Sequence, residues 1–147
     1  MQRSNRWMIV VLLIIAGLQL SACARAPAAA TKVSPSKVEA IEGSEFKRVT
    51  LTQKAAERLD IQTAPVREEQ VDGTQRMVVP YAAVIYGLQG QTWAYTNPEP
   101  LVFIRHLIQV DYIESDLVVL VDGPAVGTQV VTVGGALLYG AETGVSK

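Results

Sequence analysis

Few side chains in this sequence could do chemistry on their own: among 147 residues there is one cysteine, Cys23, and one histidine, His106. A thiol can be acylated, oxidised or metallated. A lone imidazole is more often packed or at a rim than ligating, because a metal site needs several N, S or O donors together. Asp111, Glu114 and Asp116 cluster around a tight connection and could in principle face a hard cation, but their spacing matches no calcium loop and reads as a solvated hairpin turn. Glu68 and Glu69 are adjacent, so an extended chain points them to opposite sides, which suits no shared acid–base role. Ser44, Ser115 and Ser146 lack the Gly-x-Ser-x-Gly setting of a nucleophile, and Gly134-Gly135 lacks the dinucleotide fingerprint. The residue types point away from an enzyme, with no catalytic residue and no metal expected.

Cys23 is different because of what precedes it. Arg3 and Arg6 begin the chain, an apolar run follows over residues 7–18, and small residues come next, which are the three parts of an export signal. The tetrapeptide Leu20-Ser21-Ala22-Cys23 resembles the bacterial lipobox, in which the thiol is acylated and the chain is cut just before it. The apolar run over residues 7–20 contains Gly17 and Gln19 and falls short of the ~20 apolar residues a membrane span needs. Cutting after Ala24-Arg25-Ala26 is the competing reading, and it would discard the only thiol. The lipobox implies a signal peptide over 1–22, a covalent lipid on Cys23 as the only attached group, and a periplasmic location on the face of the cell envelope. Ala24 in second place leaves both inner and outer membrane open.

Removal of 1–22 leaves 125 residues, enough for about one small domain. The remaining 11 basic and 14 acidic residues give a net charge of −3 with no basic stripe, which argues against nucleic acid. Residues 24–45 are rich in Ala, Pro, Ser and Lys and read as a flexible tether, so the expected organisation is a lipidated tether over 23–45 and a folded body over 46–147. The 22 residues of that tether would span about 25 Å as a coil.

Within the body, a short strand is expected over 46–51, and then Thr52 caps a helix over 53–59. Further strands are expected over 75–79, 82–86, 91–96, 101–112, 116–121 and 129–133, with a shorter one over 136–139. Turn signals at Asp72-Gly73, 87–90, Pro98-Glu99-Pro100 and Asp122-Gly123-Pro124 separate them. The expectation is a mainly β domain, a small barrel-like unit or sandwich with one short helix and none longer than about two turns.

Two blocks carry a resemblance. Val49-Thr50-Leu51-Thr52 with 55–66 resembles a segment of the periplasmic adaptor proteins of RND-type efflux systems, the HlyD-like membrane fusion proteins. The second block is Val79-Pro80, Ala83-Val84-Ile85-Tyr86, 92–96, Phe103-Ile104-Arg105, Gly123, Val126-Gly127, Val130-Val131, Gly134 and Ala141-Glu142. It is similar to the membrane-proximal domain of those adaptors, which the family builds from both ends of the chain. A full adaptor inserts a barrel, a lipoyl-like domain and usually a helical hairpin between the blocks, whereas here only 67–77 separates them.

The resemblance implies a free-standing accessory module that acts by protein binding. Its expected partners are an RND-type inner-membrane transporter or a full-length adaptor, with the membrane engaged through the lipid and an oligomer allowed. Copper and silver adaptors of the family use methionines, and after residue 22 only Met77 is present. Trp93, Tyr95 and Phe103 are the candidate partner interface, although a small domain with few aromatics usually buries them. The alternative to an efflux role is a stand-alone envelope lipoprotein that binds a small ligand or a client protein.

Overall fold

The computed structural model describes residues 34–144, and there the chain is mainly β, a sheet curled into a half-barrel. Its elements run β1 (Ser36–Ala40), β2 (Lys47–Leu51), α1 (Gln53–Arg58), β3 (Gln62–Pro65), β4 (Arg67–Val71), β5 (Thr74–Pro80), a 3-10 turn (Tyr81–Ala83), β6 (Ile85–Tyr86), β7 (Thr92–Glu99), β8 (Val102–Glu114), β9 (Leu117–Asp122), β10 (Gln129–Val133) and α2 (Gly135–Thr143). Hydrogen-bonded neighbours follow the order β3-β10-β7-β8-β9-β5-β4, with β2 also on β8, β1 on β2 and β6 on β7. All these pairings are antiparallel.

Local chemistry explains several of these elements. Thr52 caps α1 by accepting the Ala55 N–H on its hydroxyl at 3.2 Å, and Gln53 donates to Glu57 at 2.9 Å one turn on. Asp72 and Gly73 both have positive φ, 51° and 77°, as a two-residue primed turn requires, and they join β4 to β5 with Val71 opposite Thr74. β8 is the longest strand. Its first half pairs with β2 and β7, its second with β9, and the register shifts around Val110. Such bulges bend and twist a strand, which lets β8 run through both halves of the curl.

Because side chains alternate along a strand, the sheet has two buried faces. Ala94, Ile108 and Val130 join Val66, Val79, Ala83, Val118 and Leu120 in one cluster on the inside of the curl. Their immediate neighbours Tyr95 and Val131 belong to the other cluster, with Val49, Leu51, Phe103, Ala55 of α1 and Leu138 of α2.

Three expectations need correction, and one strand forms where none was expected. The strand expected over 136–139 lies inside α2. Gly134, at φ 91°, turns the chain out of β10, and the helix-forming Ala, Leu and Glu residues that follow put Leu138 and Glu142 one turn apart on a buried face. Of the tether expected over 23–45, residues 23–33 lie outside the described residues, and 36–40 form β1, which pairs residue by residue with 47–51; cross-strand pairing orders a segment whose composition alone cannot. Of the strand expected over 82–86, the first two residues belong to the 3-10 turn and β6 keeps only the last two. β4 also forms in the acidic stretch after Val66, as the partner of β5.

Candidate functional site

Cys23 and its lipobox neighbours Leu20, Ser21 and Ala22 lie outside the described residues. Ser146 also lies outside them, and the other candidates are placed. Trp93, Tyr95 and Phe103 are 8%, 0% and 3% exposed, so burial wins and none of the three stands ready as a surface anchor. His106 is exposed on β8 opposite Ala94. Asp111 pairs with Arg76 across the sheet, and that bond holds the guanidinium above its ordinary range. Asp116 gives its backbone carbonyl to the Tyr81 N–H at 2.8 Å. Among the described residues no group of His, Cys, Asp or Glu is arranged to hold a metal, and no helix is long and apolar enough to cross a membrane.

The polar centre of the fold is a different set. Glu142, on the buried face of α2, is 4% exposed. Arg105 of β8 donates from Nη2 to its Oε1 at 3.1 Å, and the Tyr95 hydroxyl of β7 donates to its Oε2. Lys47 at the start of β2 donates to the Glu142 backbone carbonyl at 3.3 Å. Tyr95 and Arg105 are directly paired across β7 and β8, so sheet register brings the two donors side by side.

Aromatic rings enclose the guanidinium. Its central carbon lies 4.6 Å from the Trp93 ring centre, 5.3 Å from Tyr139 and 5.4 Å from Phe46, and the Phe46 and Trp93 rings meet edge to face at 5.3 Å and 74°. These distances allow the cation to interact with all three ring faces. Arg105 Nε is buried with no hydrogen-bond partner, so the rings accommodate that side of the fork without an acceptor. Burial first, and then the bond to Glu142, push the Tyr95 phenol well above its ordinary range.

This constellation clamps α2 to the sheet. Its groups engage one another, and the cation box is filled by the protein's own arginine. Reading the sequence missed it because the members stand far apart: 37 residues separate Arg105 from Glu142 and 47 separate Tyr95 from Glu142. The available signal was Glu142 itself, a charge one turn after Leu138 in a segment otherwise short of charge.

On the other flank of α2 lies an open groove of about 430 Å³, between α1, α2 and the start of β1. The buried Leu51, Ala55 and Leu138 line it, with the more exposed Leu59, Leu137 and Ala141. Leu137, Ala141 and Gly144 recur at helical spacing, and the small residues Ala55, Gly140 and Ala141 leave the space open. Arg58, in the last turn of α1, is the one charged residue of the lining.

No family model matches the chain, and no curated protein or solved structure matches it either.

Proposed function

We propose that the chain is a lipid-anchored module of the bacterial envelope that works by protein binding beside an RND-type transporter, as the membrane-proximal part of an efflux adaptor does. One observation carries this reading: segments from both ends of the body share one sheet. β3 lies on β10, and β2 lies on β8. Assembly from two ends is what the adaptor resemblance implies for this domain. The place where a full adaptor inserts its further domains is occupied here by the β4–β5 hairpin, closed through Asp72-Gly73. The module's contribution would then be positional. A lipid on Cys23 holds it in a thin layer at the membrane and raises its effective concentration against a transporter's periplasmic surface.

Affinity capture of the full chain from detergent-solubilised membranes tests the docking. Recovery of an inner-membrane transporter of the RND type, lost when the bait is omitted, supports it, and a capture that never contains one removes the efflux role. The anchor is tested separately. Cys23→Ser should move the chain out of the membrane fraction, and an unchanged distribution would defeat lipidation whatever the capture shows.

A further inference from the structure

We propose that the groove between α1 and α2 binds a free fatty acid, with its alkyl tail along Leu51, Leu59, Leu137 and Leu138 and its carboxylate on Arg58. The volume of about 430 Å³ falls within the roughly 300–1,000 Å³ of small-molecule pockets. The lining side chains are aliphatic apart from Ser36 and Arg58, so the groove is mainly apolar and suits a ligand with few polar groups, since such groups cost free energy when buried unpaired. An alkyl chain carries no such groups along its length. At one end the ligand needs a single anion. Arg58 supplies a planar fork suited to a carboxylate, and among the described residues no carboxylate forms an ion pair with it. The adjacent acid, Glu57, accepts from Gln53 at 2.9 Å.

The groove uses side chains that the transporter-docking reading leaves idle. Loss of the transporter from the capture therefore leaves the groove standing, and an empty groove leaves docking standing.

The test is photolabelling of the full chain in its native membranes with a diazirine-bearing alkyl carboxylate, followed by mapping of the labelled peptides. Label is expected on the segments containing Leu59 and 137–141, displaced by dodecanoate and not by dodecyltrimethylammonium. Leu137 is 54% exposed, so Leu137→Lys should leave the fold intact while lowering the label about tenfold. Arg58→Gln should raise the dodecanoate concentration needed for displacement about tenfold and leave that of dodecanol unchanged. Label spread evenly along the chain, equal displacement by the cationic amphiphile, or an Arg58→Gln variant in which acid and alcohol behave alike would overturn the assignment.

Discussion

Ala94 and Tyr95 are neighbours in β7, both wholly buried, yet they face different interiors. The inside of the curl, around Ala94, is valine, alanine, leucine and isoleucine, and its cohesion comes from burying apolar surface at about 25 cal/mol per Å². The helix-covered face, around Tyr95, adds a phenol, a carboxylate and a guanidinium held under aromatic rings. Apolar packing is tolerant: a lost methyl group costs a little wherever it sits. A buried polar set is unforgiving, because removing one member strands the others without water. The first face therefore supplies general cohesion, and the second decides where α2 must dock.

Breaking that second face should have the largest consequence. Glu142→Ala leaves the Arg105 guanidinium, whose side chain is only 15% exposed, without its anion. The expected loss is about 3–5 kcal/mol in urea unfolding, accompanied by a change in the near-ultraviolet signal of Trp93. Replacing the set together, Arg105→Met with Glu142→Leu and Tyr95→Phe, should recover most of that stability, since apolar groups of similar volume can substitute for a buried pair. Failure of the triple variant to outperform Glu142→Ala would mean that the clamp does more than satisfy its own charges.

Tyr95→Phe alone removes one bond to a charged acceptor and should cost about 1.5–3 kcal/mol. It also sharpens the comparison through pH. The folded state holds the Tyr95 proton above its usual range, whereas in the unfolded chain a tyrosine ionises near about pH 10. The stabilisation is therefore fully present below that pH and is lost as pH rises beyond it, by up to about 1.4 kcal/mol per pH unit. Denaturation midpoints on either side of about pH 10 should show this alkaline fall in the wild type, and a weaker one in Tyr95→Phe.

On the apolar face, Ile108→Val should cost only about 0.5–1.5 kcal/mol, without disturbing the Trp93 signal. The smallest effect belongs to Arg76→Ala, which removes the pairing with Asp111 on the outer surface. Its thermal midpoint should stay close to that of the wild type at ordinary salt, and any difference at low salt should vanish as ionic strength rises. An Ile108→Val loss as large as that of Glu142→Ala would reverse the ranking of the two faces, and an Arg76→Ala loss larger than that of Ile108→Val would place the exposed pair above a buried methyl group.

How much of this was legible depends on the range over which each residue's partners lie. The turn at Asp72-Gly73, the Thr52 cap and the strands over residues 75–79, 101–112, 116–121 and 129–133 follow from a few neighbouring residues, and the structure has them within a residue or two, whereas the strand expected over 91–96 runs on to Glu99 through part of the turn expected at Pro98-Glu99-Pro100. The segment over 136–139 was misread because a short apolar run fits either a strand or a helix, and only its docking against the sheet through Leu138 and Glu142 separates the two. The candidate interface at Trp93, Tyr95 and Phe103 had the right chemical weight and the wrong exposure. Aromatic character says that a residue will be energetically important, and it does not say whether solvent or another element covers it. The groove was not legible at all, since residues from 35 to 144 contribute to it.

By itself, the order of amino acids determined a strand-rich body, where its hairpins turn and where its first helix begins, because those choices are made by backbone sterics and hydrogen bonds a few residues long. Tertiary structure alone decided that 36–40 would become a strand, that 135–143 would become a helix, and that a tyrosine, an arginine and a glutamate from three elements would share one buried site. The physical reason is that a charge becomes costly, and its partner decisive, only after the rest of the chain has excluded water from around it.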